Sequence, residues 1–130
     1  MSRASIRTVV SGVDRGSTSL TTVLLTPVFL VIALMAFQAA LWSHARTEAR
    51  VLARSGAALV ARSHADSAAT EQATLAMLRD DTDIGNPRVD IVVSGDLVRA
   101  RITGRAPGMI RGTSAGVDVT EVVPREGFRP

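Results

Sequence analysis

The sequence predicts an α+β protein: a long N-terminal helix, half transmembrane and half amphipathic, packed on a small antiparallel three-stranded sheet. Three observations predict it. After Arg15 no Asp, Glu, Lys or Arg occurs until Arg46. The stretch from Ser43 to Arg79 is Ala-rich, has no proline and holds a single glycine, Gly56. From Val89 onward apolar and polar residues alternate, with turn formers between the runs.

A chain of 130 residues allows one domain. The reading divides it into a polar, disordered leader (1–16), a transmembrane helix (17–43), an amphipathic helix (44–79) and a small β region with a C-terminal tail (80–130). All 15 basic residues are Arg, a pattern that GC-rich coding accounts for without invoking function. The net charge of +3 is too weak a field to argue for nucleic acid. With no Cys, neither a disulfide framework nor a thiolate metal site can form.

The uncharged run comes first in the chain. As a helix, Leu20 to Trp42 would be roughly 34 Å long, enough for a hydrocarbon core of about 30 Å. Twelve of its 23 residues are Leu, Ile, Val or Phe, and these favour insertion. Thr21, Thr22, Thr26, Pro27 and Gln38 oppose it, and a mild kink is expected at Pro27. Trp42 stands where the run meets polar sequence, the position of an interfacial anchor. Two rivals stay open. One is a buried core helix, which would need a second hydrophobic element to cover it. The other is a cleaved secretory signal, with Ser43-His44-Ala45 as a loose small-x-small site; such signals have shorter apolar regions, about 7–15 residues. Arg3, Arg7 and Arg15 before the run balance Arg46, Arg50 and Arg54 after it. The positive-inside count is therefore a tie, and the short leader leans towards N-terminus inside.

The second helical segment places Leu41, Ala45, Ala49, Leu52, Gly56, Leu59, Val60 and Ser63 on one side. One helix is expected from about 20 to 62, loosened near Ser63–Ser67 and resuming to Arg79. Small residues on its apolar side would admit another backbone closely. "RDDTDIGNP" (Arg79–Pro87) then reads as a helix stop and turn. Val89, Ile91 and Val93 alternate as a strand. Gly95-Asp96 reads as a hairpin turn, and Val98, Ala100 and Ile102 alternate again, with Arg99 and Arg101 opposite. A loop through Ala106-Pro107-Gly108 and Arg111–Ser114 leads to a third strand marked by Val117, Val119, Glu121 and Val123, ended by Pro124. So thin a sheet needs a helix across one face.

Little in the chain reads as reaction chemistry. His44 and Glu48 lie one helical turn apart and His64 stands alone, so no metal motif is present. Asp80, Asp81 and Asp83 read as a solvated turn; a calcium loop would need more oxygen ligands at fixed spacing. No nucleophile elbow and no glycine-rich phosphate loop appears. No catalytic residue, cofactor, metal or small-molecule substrate is expected. Arg46, Arg50 and Arg54 recur every four residues after the membrane run. They read either as cations reaching lipid phosphates or as a docking edge for an acidic partner. Base-stacking aromatics are missing, because Phe29 and Phe37 lie in the span.

The architecture is similar to that of pilins, and particular residues narrow the likeness. Arg15-Gly16-Ser17 opening a span, with Thr26-Pro27 inside it, resembles the TadE-like family of tight-adherence (Flp-type) pilus assembly. "LWSHARTEARVLARSGA" (Leu41–Ala57) is similar to the family's exit from the membrane. "VRARITGRAPG" (Val98–Gly108) looks like its strand and Gly-x-Ala-Pro turn, and "PREGF" (Pro124–Phe128) like its ending. The resemblance covers about residues 14–128.

It implies a minor pseudopilin, a non-catalytic component of a pilus or related secretion machine. Such a protein is held in the cell membrane by one span, N-terminus cytoplasmic and C-terminal part outside. The implied partners are membrane lipid, other pilus or secretion subunits and a prepilin-type peptidase, whose cut would fall between Gly16 and Ser17. Pilin-like chains usually carry Glu at the fifth residue after the cut; here that residue is Thr21, which cannot form the ion pair with a neighbour's amino terminus. The alternative is an unprocessed, single-pass, membrane-tethered extracytoplasmic binding module.

The expected behaviour of the full-length product is retention in membranes through an alkaline carbonate wash, with release by detergent. A compact monomer free in buffer, still bearing Leu20–Trp42, is the contrary result.

Overall fold

The backbone starts helical at Arg15, ahead of the apolar run, in a helix α1 that spans Arg15–Ser63. The structure, a computed structural model, describes residues 15–125, with side chains from residue 19. The expected disordered leader, apart from Arg15 and Gly16, and the end of the Pro124–Phe128 motif lie outside the described residues. A second helix α2 follows at Ser67–Asp81, then strands β1 (Gly85–Ser94), β2 (Leu97–Ala106) and β3 (Ala115–Pro124). The fold is therefore α+β, with a long N-terminal helix and one antiparallel sheet in the order β1-β2-β3. The residues up to Ala36 and those from Phe37 form two separate units.

In the first unit α1 is apolar all round. Leu24, Phe29, Leu30 and Met35 each project outward and are exposed. A helix without a polar face is of the kind found in the core of a large protein or across a membrane, and this one is long and apolar enough to cross a membrane. Pro27 lies within the helix. It cannot donate to the carbonyl of Val23. One residue earlier, the Thr26 hydroxyl donates to the carbonyl of Thr22 at 2.7 Å.

In the second unit the rest of α1 lies under the sheet together with α2. The buried stripe of α1 is Ala45, Ala49, Ala53, Gly56, Ala57, Val60 and Ala61. This face is turned from the expected one. Leu59 is 53% exposed and Ser63 is exposed too, while Ala53, Ala57 and Ala61 are buried. The reason is α2, which meets α1 on the small-residue side. A Cβ placed on Gly56 would lie 3.1 Å from Thr74 Oγ1 and 3.4 Å from Ile91 Cδ1. The position admits two neighbours because it carries no side chain.

Helicity does not run unbroken to Arg79. His64 takes a left-handed backbone (φ 53°), which ends α1. Asp66 then caps α2, its Oδ2 accepting from Ala69 N at 3.2 Å. The region therefore holds two helices where the sequence suggested one loosened helix. Thr82 closes α2, its hydroxyl donating to Leu78 O at 2.5 Å.

Each strand is ten residues long. Gly85-Asn86-Pro87, expected as a turn, opens β1 instead. The register shifts between Gly85 and Arg88, and Asn86 has a positive φ of 48°. This is a bulge at the start of an edge strand, one of the few places in a sheet that tolerate proline. Gly95 supplies the positive φ of the β1–β2 turn. The inner face presents Ile91, Val98, Ala100, Ile102, Val117 and Val119 to the helices. Leu78 of α2 is fully buried and is the largest such side chain beside Ile102 and Val98.

Two substitutions follow from this packing, each read by thermal or denaturant unfolding in detergent. Leu78→Ala should cost about 2–5 kcal/mol by leaving a cavity. Gly104→Ala should cost about 1–3 kcal/mol, because its Cβ would collide with Ile84 Cγ2 and lie 3.2 Å from the carbonyl of Gly85.

Candidate functional site

Where the apolar run ends, α1 changes environment within four turns, and each turn makes a polar link. Gln38 Nε2 donates to Thr113 Oγ1 at 2.7 Å. Trp42 Nε1 donates to the carbonyl of Gly116, the second residue of β3, at 3.0 Å. The Arg46 guanidinium lies over the Trp42 ring, 5.3 Å from its centroid, a cation–π pairing. Arg50 Nε is 3.2 Å from Glu121 Oε1 on β3. Arg54 is exposed. The sequence pattern presents the three arginines as one stripe; the fold puts them in three settings, of which only that of Arg54 is a free cation among the described residues.

Glu121 explains why β3 carries a charge on its inward-facing side. It is the one acidic residue in the alternation Val117, Val119, Glu121, Val123, and Arg50 meets it there. An inward charge at an edge also discourages stray strand pairing. The other edge is closed differently: Glu71 Oε1 of α2 accepts from Ile91 N at 2.6 Å, taking the place of a neighbouring strand.

Gly16 and Ser17 lie in the first turn of α1, with side chains outside the described ones. Thr21 sits on α1 in the first unit and is exposed. His44 Nε2 and Glu48 Oε1 are 3.1 Å apart, while His64 occupies the break between the helices. Among the described residues no three His, Cys, Asp or Glu side chains converge as a metal-holding group.

The outer face of the sheet was not singled out from the sequence beyond the placing of Arg99 and Arg101 opposite the core. It forms an open groove of about 500 Å³, lined among others by Val92, Leu97, Arg99, Thr120 and Val122. Arg101 and Asp118 meet there across β2 and β3 in a two-pronged pair: Nε to Oδ1 at 3.0 Å and Nη2 to Oδ2 at 2.6 Å. The hydrogen bonds from Arg101 hold the Asp118 carboxyl below the usual carboxylate range, and those same bonds and the charge of Asp118 raise the Arg101 guanidinium. The signal for this pair was the alternation itself, which puts Asp118 on the same face as Arg101.

The TadE-like protein family model matches residues 16–58, the part of α1 that holds the apolar run and its polar exit. This agrees with the resemblance drawn from Arg15-Gly16-Ser17 and Leu41–Ala57. The match ends before β1, so the motifs at Val98–Gly108 and Pro124–Phe128 lie beyond it. No curated protein and no solved structure matches the chain.

The exposed Arg101–Asp118 pair makes a pH prediction. A carboxyl whose folded pKa is lowered adds stability above its unfolded pKa, and that stability is lost as pH falls through the depressed value. In Arg101→Gln the Asp118 carboxyl should titrate at higher pH than in the native chain, followed by carboxyl NMR. The acid-side loss of melting temperature attributable to Asp118 should shrink with it. An unchanged Asp118 titration would mean that Arg101 is not the cause.

Proposed function

We propose that the chain is a membrane-anchored, pilin-like component of a tight-adherence pilus or a related secretion machine, acting by assembly rather than catalysis. One observation carries the reading: the segment that matches the TadE-like model, residues 16–58, covers most of a helix, Ser19–Ser63, that is long and apolar enough to cross a membrane. The polar links at Gln38, Trp42 and Arg46 follow at the end of that run, where a span would meet headgroups. In this reading the helix is a single span, the N-terminus is cytoplasmic and the sheet lies outside the cytoplasm. Trp42 and Arg46 sit at the lipid interface. Arg50 braces the sheet, and Arg54 is the cation left to meet lipid phosphate or an acidic partner subunit.

The leader is the point of decision. A prepilin-type peptidase is proposed to cut between Gly16 and Ser17 and leave Ser17 as the new amino terminus. Thr21 then lies where pilin-like chains carry Glu, and its hydroxyl supplies no counter-ion for a neighbour's ammonium group. The proposed role is therefore a subunit of the assembly base more than of a long fibre. Thr21 and the open sheet groove beside Arg99 also favour a second reading, an unprocessed tethered module that binds a ligand with its sheet.

N-terminal sequencing and intact mass of the membrane-extracted protein separate the two. Co-expression with a prepilin-type peptidase should yield a chain beginning at Ser17, and Gly16→Leu should block the cut. Tagged protein should also co-purify with other pilus components. An uncut chain in cells holding the peptidase, with none of those components recovered, would favour the tethered module.

A further inference from the structure

We infer that the β2–β3 loop is a second membrane contact, seated in the interfacial layer of the bilayer next to the end of the span. The inference rests on the membrane reading of α1 and adds a surface to it that no part of that reading assigns.

The loop, residues 107–114, presents two bulky apolar side chains side by side, Met109 (54% exposed) and Ile110 (61% exposed). The two are adjacent in the loop, and nothing among the described residues covers them. Arg111 follows directly and is exposed. Two apolar residues next to a long cationic side chain suit the boundary between acyl chains and headgroups, where the cation can reach phosphate.

The position of the loop along α1 is the second observation. Its base is bonded to the last part of the uncharged run, through Gln38 Nε2 to Thr113 Oγ1 at 2.7 Å. One turn later Trp42 holds Gly116, just beyond the loop. If Trp42 marks the interface, Gln38 lies about 6 Å deeper along the helix, and the loop is tied at that level. The bond also accounts for the one amide in the run. Gln38 is costly in lipid unless paired, and Thr113 pairs it.

The loop is also built for such a place. Irregular backbone is tolerated near lipid only where its polar groups are satisfied. Thr113 N donates to Ile110 O at 3.1 Å, and Thr113 Oγ1 donates to the same carbonyl at 2.7 Å. Ile110 N donates back to Thr113 Oγ1 at 3.3 Å. With Gln38 the hydroxyl thus gives one hydrogen bond and receives two, its full capacity. Gly108 has no room for a side chain, since a Cβ there would stand 2.8 Å from the Thr113 carbonyl carbon and 2.9 Å from Ser114 N. The turn is closed on itself and points its two apolar side chains outward.

The chain has no Cys, so single cysteines report position cleanly. Ile110→Cys, labelled with an environment-sensitive fluorophore in the full-length chain, is reconstituted in vesicles of phosphatidylethanolamine and phosphatidylglycerol. The expected result is blue-shifted emission, quenched by lipids that carry a shallow nitroxide. Ser94→Cys, beside the turn at the opposite end of β2, should be quenched by aqueous iodide instead. Adding Met109→Asp to the Ile110→Cys chain should return its label towards water while the protein still resists carbonate extraction. A label at residue 110 that iodide quenches and lipid nitroxide does not, in protein that stays carbonate-resistant, overturns the loop contact alone. A label shielded from both quenchers means a protein covers the loop and equally overturns the lipid assignment. Release of the whole chain by carbonate overturns the membrane reading itself.

Discussion

Close approach of α1 to the sheet and to α2 is the constraint on which the second unit depends. Ala45, Ala49, Ala53 and Ala57 are buried along one side of α1, and Gly56 stands where Thr74 and Ile91 come nearest. Such residues remove little apolar surface each, so burial area per residue is modest. What they provide is proximity: backbones and short side chains meet at van der Waals distance, and many small dispersion terms add. The larger apolar contribution comes from the other partners, Leu78, Val98 and Ile102, which fill the space that the alanines leave. A thin three-stranded sheet is stable here because two helices cover the one face it cannot leave wet.

The same packing sets how the sheet ends. A three-stranded sheet has two edges. Beside β1, α2 fills the edge, with the Glu71 carboxylate standing in for a strand at Ile91. At β3 the helix side chains act singly, Trp42 on the carbonyl of Gly116 and Arg50 on Glu121. Each of these side chains belongs to the part of α1 that leaves the apolar run. One short stretch of helix thus clamps the sheet edge; in the membrane reading proposed above, the same stretch would stand at the bilayer boundary.

Much of the architecture was legible because it rests on period and composition. An uncharged run of that length has few uses, and the alternations around Ile91, Ile102 and Val119 each place one face inward. The Gly95-Asp96 turn follows from the need for a positive φ. Other features were hidden. The loosening expected near Ser63–Ser67 falls at the observed break, but the left-handed His64 that makes it a full stop has no proline or glycine to announce it. The expected buried side of α1 included Leu59 and Ser63 and left out Ala53, Ala57 and Ala61, which the fold buries instead. Size favours leucine in isolation, but the nearness of α2 favours alanine. The opening of β1 at Gly85-Asn86-Pro87 carries strong turn formers, and a bulge uses the same residues as a turn.

Taken alone, the sequence determined the apolar helix, the three strands, the inward faces of the sheet and the absence of cysteine chemistry, because local periodicity and residue type suffice for these. Only the tertiary structure decided which guanidinium meets Glu121, which carbonyl takes the Trp42 indole, that Gln38 pairs with Thr113, and that the register brings Arg101 within hydrogen-bonding distance of Asp118. These pairs join residues far apart in the chain. Their existence depends on strand register and on the rotation of α1 under the sheet, and both are set by the fit of side chains on all the elements at once.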